Sequence, residues 1–527
     1  MTNASTRLHI LHEQPDWDLI VVGGGITGAG ILREAARRGL RALLVEQGDF
    51  ASGTSSRSSQ MVHGGLRYLL SADIGLTRAS VHERQRLLRE APGLVQSCGY
   101  LFPHRRRHKP GPRSMRTLLR IYDAFAGRRD YRFVPALELL MQAPGLDTRN
   151  LIGATRYTDA ITDDARLVFR VLRAAMTDGG HAINYLRTTG LRRNRDGAIE
   201  GINVHDGLGD EELALKAPLV INATGAWADQ LGGARNIRPL RGSHLVIPGW
   251  RLPVAQCITF MHPHDRRAVF VYPWQGTSII GTTDIDHDAP LNREPAITAA
   301  ETQYLLDGIN HQFPGAGLTT GDIQSSWSGV RPVIGGHHDN PSRERRRHSL
   351  WVDRGLVTVS GGKLTTFRLI ALDALAAGAP LLPEYARKDP GGMLFRPAPE
   401  LPAELPRALR QRLVARFGDE ADAALAQAEP GDLASIGPSP VLWLEVRHAS
   451  RHEAVEHLDD LLLRRTRLGL LLPKGAATYL APIMDILARE KGWSTERQQQ
   501  ELEVWRQRYR SSYSLPQAEA TVTENPA

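Results

Sequence analysis

The hydrophobic and polar pattern of the first fifty residues predicts a nucleotide-binding βαβ unit. An apolar, β-branched run over 18–22 (DLIVV) is typical of a buried parallel strand, and Gly23, Gly25 and Gly28 follow it in the spacing G-x-G-x-x-G. These glycines permit a tight turn, close approach of a pyrophosphate and close helix packing, and the helix N terminus then faces the phosphates. A second strand ends at Glu46, where a carboxylate can accept hydrogen bonds from a ribose hydroxyl. This order predicts a dinucleotide site; the alternative is a tight turn without a ligand.

Beyond residue 50 the pattern changes several times. The loop that holds Thr54, Ser55 and Ser56 is rich in hydroxyl and amide donors, which suit a phosphate or a ring system. Residues 75–125 are predicted to be helical, and 181–222 to form a three-stranded meander. Residues 240–325 alternate between apolar and polar positions, as in an antiparallel sheet. A proline-rich break near 381–406 precedes a final helical stretch.

Composition narrows the classes of protein. The chain has 527 residues, 42% apolar and 23% charged, which is ordinary for a soluble globular enzyme of several domains. Cys98 and Cys257 are its two cysteines, so no disulfide framework is expected and a reducing compartment fits. The N terminus has no apolar signal segment, no uninterrupted run of 18 apolar residues occurs, and no metal site is predicted.

The net charge of +8 comes almost entirely from arginine and indicates an anionic partner. Paired arginines within helices are predicted to form a solvated face. The basic cluster 104–113 precedes an apolar stripe at helical spacing, formed by Met115, Leu118, Leu119 and Tyr122 with Phe125 or Ile121. Such a basic amphipathic helix around 113–129 suits an anionic membrane surface, although a surface helix packed on the core gives the same pattern. No aromatic platform for bases accompanies it, so no nucleic acid is expected.

Two later glycine turns favour a flavin over a free nicotinamide. Strands end at Ala223-Thr224-Gly225 and at Gly361-Gly362, and the second turn leads into a helix at Lys363. A helix N terminus and a lysine beside the cofactor suit an anionic reduced flavin. The alternative for Lys363 is a side chain that points to solvent.

At this point nine segments, in this order, resemble one family. They are DLIVVGGGITGAGILREAARRG, TSSRSSQMVHGGLRYL, DDARLV, NATGAW, GSHLVIP, VFVYPW, IIGTTD, SGVRP and SGGKLTTFR. Together they resemble the aerobic, FAD-dependent sn-glycerol-3-phosphate dehydrogenases over about 16–375, and more loosely through HLDDLLLRRTRLGLLL in the last third of the chain. The resemblance implies oxidation of glycerol 3-phosphate to dihydroxyacetone phosphate, with electrons passed through FAD to membrane quinone. No flavinylation motif is present, so FAD is expected to be non-covalent.

The resemblance also implies roles for individual residues. Arg67 and Tyr68 match residues that hold the substrate phosphate, and Arg346 is a further phosphate contact, with Arg345 or Arg347 as alternatives. His244 is the first choice for the proton acceptor and His63 the second, beside Arg331 and Lys363 at the reacting end. The cofactor contacts are expected at Gly23, Gly25, Gly28, Glu46, Thr54, Ser55, Ser56, Ala223, Thr224, Gly225, Gly362, Lys363, Leu364 and Thr365.

The expected fold class is α/β plus α+β. A Rossmann-like FAD-binding domain (16–90, 150–238 and 326–380) is interleaved with an antiparallel-sheet domain (91–149 and 239–325) that binds substrate and faces the membrane. A helical C-terminal cap (390–511) and a disordered tail (512–527) follow. We expect a cytoplasmic enzyme held peripherally at the inner face of the cell membrane, and a homodimer is compatible with the sequence. The alternatives are an oxidase of glycerol 3-phosphate that uses O2, an amino-acid oxidase, and a basic FAD-containing protein that binds RNA.

Overall fold

A computed structural model describes residues 4–66, 73–127, 130–233, 237–334 and 348–516. Its strands alternate with helices in the first third and cluster in the middle of the chain. They are β1 (Leu19–Val22), β2 (Ala42–Val45), β3 (Met61–Val62), β4 (Gln96–Arg105), β5 (Arg132–Pro135), β6 (Leu151–Ile161), β7 (His181–Ile183), β8 (Leu186–Arg193), β9 (Ile199–Asp206), β10 (Glu212–Lys216), β11 (Val220–Asn222), β12 (Ile237–Pro248), β13 (Cys257–Met261), β14 (Ala268–Trp274), β15 (Thr277–Gly281), β16 (Ile285–Asp286), β17 (Ser325–Ile334), β18 (Ser349–Asp353) and β19 (Leu356–Ser360).

The α-helices of six or more residues in the described chain frame these strands. They are α1 (Ala4–Glu13), α2 (Ile26–Ala36), α3 (Ile74–Glu90), α4 (Pro112–Ala126), α5 (Ala136–Gln142), α6 (Asp164–Thr177), α7 (Ala299–Gln312), α8 (Phe367–Gly378), α9 (Arg407–Phe417), α10 (Ala421–Ala426), α11 (Trp443–His452), α12 (Leu480–Lys491) and α13 (Thr495–Arg508).

The nucleotide-binding sheet has the order β18-β19-β11-β1-β2-β7. All neighbours in it are parallel except the edge pair β18–β19. β1 and β2 are buried along their whole length, which explains why they read as continuous apolar runs. Helices α2, α6 and α8 bury their apolar faces in the same core as β1, β2 and β19. The predicted Rossmann-like arrangement of a parallel sheet covered by helices is therefore confirmed.

The second sheet is larger than the sequence predicts. Ten strands form it, in the order β16-β12-β15-β14-β13-β4-β6-β3, with β17 added beside β12 and β5 beside β6. The sequence boundaries at 150 and 326 place β6 and β17 in the FAD-binding domain. Both strands instead pair into the antiparallel sheet, because β17 runs in register with β12 over ten residue pairs and β6 with β4. The stretch 75–125 is also not helical throughout, since β4 interrupts it.

The observed three-stranded meander differs from the predicted one in its outer strands. β8, β9 and β10 form a three-stranded antiparallel sheet, whereas β7 and β11, which flank them, join the parallel sheet. Both flanking strands are short and mainly apolar, so their direction is set by their neighbours and not by their own pattern.

Helix α4 packs on the core, which is the second of the two interpretations that its amphipathic pattern allows. Met115, Leu119 and Tyr122 are buried, and they belong to the core that includes Cys98 and Tyr100 of β4. Leu119 is 0% exposed whereas Ile121 is 45% exposed. The apolar stripe therefore packs against protein, and Leu119 is not accessible to a membrane surface.

One helical stretch of the described residues, Leu364–Leu381, is long and apolar enough to cross a membrane by length and composition. Half of it is buried, and Phe367, Ile370 and Leu375 pack in the core of the nucleotide-binding domain.

The C-terminal tail begins later than predicted. Tyr509–Tyr513 form a π-helix in which Ser512 and Tyr513 are buried. The Tyr513 hydroxyl donates to Glu294, and Arg57 donates to the same hydroxyl at 3.1 Å. These contacts order 512 and 513, which the sequence assigns to a disordered tail, while 517–527 lie outside the described residues.

Candidate active site

The glycine turn after β1 has the geometry that the motif requires. Gly23 has φ +112°, in the region that favours glycine. A Cβ on Gly28 would come 1.9 Å from the Gly23 carbonyl oxygen, so only glycine lets α2 pack at this distance. Gly25 is the N-cap residue of α2, and the next residue, Ile26, donates its backbone N–H to Ser55 Oγ at 2.9 Å. The hydroxyl-rich loop therefore lies directly against the helix N terminus.

Glu46 lies at the end of β2, beside this turn. Its carboxylate accepts from the backbone N–H groups of Gly24 at 2.6 Å and Gly48 at 2.9 Å. Burial raises the pKa of Glu46, and these backbone donors oppose the rise. Each oxygen keeps a further lone pair, so the carboxylate can still accept from a ribose hydroxyl.

A cavity of about 1250 Å³ runs from this turn to the antiparallel sheet. Most of the predicted cofactor residues line it: Gly23, Gly25, Glu46, Thr54, Ser55, Ala223, Thr224, Gly225, Gly362, Lys363, Leu364 and Thr365. Gly28 and Ser56 do not line it, because Gly28 packs beneath the turn and Ser56 is buried with its carbonyl bonded to Arg467. The cavity has room for a dinucleotide, and the glycine turn after β1 forms part of its wall.

Three of the predicted catalytic residues, two of them cationic, line this cavity. They are His63, Arg331 and Lys363. Thr365 Oγ1 donates to the His63 carbonyl at 3.3 Å, which ties the loop after β3 to the second glycine turn. Gly361 and Gly362 have φ +78° and +87°, so this turn also depends on glycine.

Arg331 is held in place by groups that the sequence reading missed. Its guanidinium donates to Asp284 at 3.3 Å and to Thr282 Oγ1 at 3.2 Å. Asp284 is buried and also faces Arg267 at 3.6 Å. The motif IIGTTD contains both partners, and its three polar residues after an apolar strand were the available signal.

His244 lies behind the cavity wall and not on it. The ring is fully buried, with Nε2 3.0 Å from Ser59 Oγ, and Ser59 lines the cavity. It stacks on Trp327 with ring centroids 4.8 Å apart, and a Cβ on Gly281 of β15 would come 2.1 Å from its Cδ2. Burial, and secondarily the charge of Arg331, lowers the pKa of His244 to about 3. The first-choice proton acceptor is therefore one side chain away from the cavity.

The C-terminal cap holds the loop that follows β2, here called the cofactor loop, through buried ion pairs. Asp49, three residues after Glu46, accepts from Arg465 at 2.5 and 2.8 Å and also from Arg464. Burial would raise the pKa of Asp49, but the two guanidinium groups outweigh it and lower that pKa. Both arginines lie in the π-helix Asp460–Arg465 of the segment HLDDLLLRRTRLGLLL. Charges inside a leucine-rich helix were the signal for this contact.

Several predicted substrate contacts lie outside the described residues. These are Arg67 and Tyr68, and the alternatives Arg345, Arg346 and Arg347. They remain predictions.

Comparison with known proteins identifies the family. Residues 18–372 match the family described as FAD dependent oxidoreductase, and 371–498 match the C-terminal domain of alpha-glycerophosphate oxidase. The chain belongs to the FAD-dependent oxidoreductase family. Within it, the chain groups with the aerobic glycerol-3-phosphate dehydrogenases: the enzyme of that name from Staphylococcus aureus is 31% identical over 510 residues, 90% of each protein.

Solved structures of this oxidoreductase family agree. A glycerol-3-phosphate dehydrogenase from Bacillus halodurans complexed with FAD is 29% identical, with TM-score 0.72 over 96% of this chain and 98% of that one. An L-alpha-glycerophosphate oxidase from Mycoplasma pneumoniae with FAD bound has TM-score 0.57 and 19% identity over 73% of this chain, a likeness of fold alone. The predicted fold class and the FAD cofactor are confirmed. The protein is an FAD-dependent oxidoreductase, and Glu46 and the two glycine turns are the residues that fit FAD.

Proposed function

We propose that this enzyme oxidises sn-glycerol 3-phosphate to dihydroxyacetone phosphate in this cavity. The observation that carries the proposal is that His63, Arg331 and Lys363 line the same cavity as the two glycine turns. The likeness to dehydrogenases of this substrate supports the same assignment.

The reaction requires positive charge near the substrate and a group that accepts the hydroxyl proton, and the chain has residues of both kinds. When bound, FAD supplies the acceptor of a hydride from the carbinol carbon. Arg331 and Lys363 place positive charge where an anionic substrate and the negative charge that develops in the reaction must be stabilised. His63, half-buried on the lining, can take the hydroxyl proton as the carbonyl forms. His244 acts through Ser59 and is assigned a positioning role.

The test is the absorbance of the purified holoenzyme without oxygen. Glycerol 3-phosphate should bleach the flavin band, while glycerol at the same concentration should not, since it lacks the phosphate for which the basic residues of the site are proposed. Denaturation should release a flavin with the mass of a dinucleotide. Bleaching by an amino acid instead of glycerol 3-phosphate would assign the amino-acid oxidase reaction and refute the proposal.

We further propose that a quinone, and not O2, is the electron acceptor. The relative at 31% identity is called a dehydrogenase, whereas the oxidase shares only the fold at 19% identity. Reduced enzyme mixed with a soluble quinone should reoxidise much faster than reduced enzyme mixed with air-saturated buffer. Faster reoxidation by O2 would favour the oxidase.

We propose peripheral attachment to the inner face of the cell membrane through a surface other than α4. Leu137 and Met141, one turn apart on α5, are 76% and 77% exposed, and Trp250 in the turn after β12 is 82% exposed. Ala255, in the loop that carries Trp250, donates its backbone N–H to the Gln142 carbonyl of α5 at 2.9 Å, so this loop lies beside α5. We call Leu137, Met141 and Trp250 the apolar patch; Arg132, whose side chain is 49% exposed, pairs with Glu138 of α5. Apolar side chains beside basic ones suit an anionic lipid surface.

Vesicle co-sedimentation tests the patch. The double change Leu137→Ser and Met141→Ser should weaken binding to vesicles that contain phosphatidylglycerol. Val352→Ser, at another exposed apolar position on β18, is the matched control and should bind as the wild type does. Equal binding by all three proteins would place the membrane contact elsewhere.

A further inference from the structure

Residues 288–296 form a loop between β16 and α7, here called the 288–296 loop, and 291–295 of it line the cofactor cavity. All of its side chains are exposed or partly exposed. Both ends are fixed, because the His287 backbone N–H donates to the Pro239 carbonyl at 3.0 Å and the Ile297 side chain is buried in the core of the antiparallel-sheet domain. The middle of the loop therefore needs its own anchor if it is to stay on the cavity.

One side chain supplies that anchor. Within the described chain, Glu294 makes every hydrogen bond and ion pair that joins the 288–296 loop to another segment. Its carboxylate accepts from Arg57 of the cofactor loop and from the Tyr513 hydroxyl, and Arg508 Nε lies 3.5 Å away. A surface loop with a single anchor opens locally when that anchor is lost.

The charge states of these groups suit a strong contact. Burial would raise the pKa of Glu294, but Arg57 and Arg508 outweigh it and lower that pKa, so the group is a carboxylate. Burial raises the pKa of Tyr513 to about 12, so its hydroxyl stays protonated and can donate. Arg57 donates to that hydroxyl at 3.1 Å as well as to Glu294. The three side chains thus contact one another pairwise through charge-assisted hydrogen bonds.

Tyr513 belongs to a C-terminal helix that runs along the cavity. It ends the continuous stretch formed by α13 and the π-helix Tyr509–Tyr513, most of which follows residue 498, where the match to the C-terminal family domain ends. Positions of α13 at helical spacing line the cofactor cavity: Arg497, Glu501, Val504 and Arg508. The helix therefore forms part of the cavity wall and carries Tyr513 to the 288–296 loop.

Arg57 connects the same contact to the cofactor loop. Its guanidinium also donates to the Ser52 carbonyl, and Ser52, Ser55 and Arg57 all line the cavity. Ser55 Oγ accepts from the Ile26 backbone N–H at the N terminus of α2. A change at Glu294 or Tyr513 is therefore within two contacts of residues that fit FAD.

We propose that the 288–296 loop is a lid on the cofactor cavity, and that Glu294, Arg57 and Tyr513 form the latch that keeps this lid closed over FAD. Tyr513 is buried and does not belong to the cavity lining, so it is a positioning residue that acts through Glu294 and Arg57. Opening of the lid is the step that lets FAD leave. The inference rests on FAD alone and does not depend on the substrate or on the electron acceptor.

The experiment compares two deletions of a hydroxyl in one π-helix. Tyr513→Phe removes the donor to Glu294. Tyr509→Phe is the matched control, because it removes a hydroxyl that donates to the Gln324 carbonyl at 3.0 Å, away from the 288–296 loop. Each purified holoenzyme is treated briefly with trypsin, and mass spectrometry follows the cut after the exposed Arg293. FAD release is followed separately by the rise of free flavin fluorescence on dilution.

We expect the cut after Arg293 to be roughly tenfold faster in Tyr513→Phe than in the wild type, because a hydrogen bond to a charged group is lost and trypsin attacks the open form of the loop. FAD release should become faster by a similar factor. Tyr509→Phe should change neither rate. Wild-type rates in Tyr513→Phe, or equal acceleration in Tyr509→Phe, would overturn the latch.

The two readouts together test whether the loop is a lid. A faster cut with unchanged FAD release would mean that the loop opens without uncovering FAD, and faster FAD release with an unchanged cut would mean that only the cofactor loop has moved. Either result refutes the lid.

A second pair of variants tests the anchor itself. Glu294→Ala should release FAD at least as fast as Tyr513→Phe, whereas Asp288→Ala, at an exposed carboxylate of the same loop outside the cavity lining, should release it at the wild-type rate. Because both latch changes act on one contact, adding Tyr513→Phe to Glu294→Ala should accelerate release by less than about twofold more. Full multiplication of the two single effects would show that Tyr513 does not act through Glu294.

Discussion

His63 and His244 have different surroundings, which give the two histidines different chemistry. His63 lines the cavity beside Arg331 and Lys363, whereas His244 is sealed behind Ser59 and stacked on Trp327. Burial and the nearby Arg331 lower the pKa of His244 to about 3, so its imidazole is neutral at physiological pH and resists protonation. A general base must reach the proton that it removes, and from the cavity only His63 of this pair can do so.

We therefore expect His63→Ala to slow anaerobic flavin reduction by glycerol 3-phosphate by about 10²–10⁴-fold, the usual contribution of general base catalysis. His244→Gln should keep the rate within roughly tenfold, since an amide can still contact Ser59. Stopped-flow reduction at saturating substrate measures the chemical step without the quinone step. A slow His244→Gln variant beside a fast His63→Ala variant would restore His244 as the base.

The sequence motifs predict which residues lie near the cavity, but not whether each of them is exposed to it. Gly23, Gly25, Glu46, His63, Arg331 and Lys363 all line one cavity, because short motifs fix the local backbone that carries them. The burial of His244 depends on Trp327 and Gly281, which lie on neighbouring strands far along the chain. No local pattern reports such a neighbour, so the sequence does not reveal that His244 is shielded from the cavity.

At the scale of elements, α4 has an amphipathic pattern that is compatible with a membrane surface and with a protein core. Its apolar stripe packs in the core against β4, so a substitution should reduce stability strongly at a buried position and weakly at an exposed one. Leu119→Ala should lower the free energy of unfolding by about 2–5 kcal/mol, as for other fully buried leucines. Ile121→Ala on the exposed side should change it by less than about 1 kcal/mol. Urea unfolding of both variants measures the contrast; equal losses would mean that the helix does not pack as described.

The π-helix 460–465 ties the cap to the cofactor loop through Asp49. Asp49→Asn removes the charge that faces two buried guanidinium groups, which should cost roughly 3–5 kcal/mol of stability. Because Asp49 follows Glu46 and Gly48 in the same loop, the variant should also release FAD faster. Thermal unfolding and the rise of free flavin fluorescence on dilution measure the two effects. Asp373→Asn, at an exposed carboxylate that faces His348, is the matched control and should change neither.

Elements that pack in a single core were predictable from their pattern, whereas strands that could join either of two sheets were not. β1, β2 and α2 follow from local periodicity, because each packs in a single surrounding. β6 and β17 lie where the chain crosses between domains, and their pairing with β4 and β12 depends on partners that are distant in sequence.

For the molecule as a whole, the arginines serve the interior as well as the surface. The sequence reading assigned paired arginines to a solvated face, but Arg464 and Arg465 are buried, as are Arg84 and Arg467. Each faces a buried carboxylate that lies far away in the chain. The net charge alone therefore overestimates how many positive charges lie on the surface. In the described residues, the interface of the cap is held by ion pairs between segments that are far apart in the sequence.

This arrangement predicts a specific loss of stability in acid. Glu453 of the cap accepts from Arg166 of α6 at 2.6 and 2.7 Å; burial would raise the pKa of Glu453, but the facing guanidinium outweighs it and lowers that pKa well below its usual value. Asp163 and Glu445 also have lowered pKa values, because arginines outweigh their burial.

A carboxyl whose pKa is lower in the folded than in the unfolded chain contributes stability above its unfolded pKa and loses it as the pH falls below that value. With ordinary carboxyl pKa values near about 4, the free energy of unfolding should fall steeply below pH of about 4.5. Glu453→Gln should lower stability at pH 7 by roughly 3–5 kcal/mol, because Arg166 stays buried without its partner. The same variant should show a shallower acid slope, since it has one fewer carboxylate to protonate. Urea unfolding at a series of pH values measures both; an acid slope as steep as that of the wild type would show that Glu453 is not among the groups that hold the cap in place.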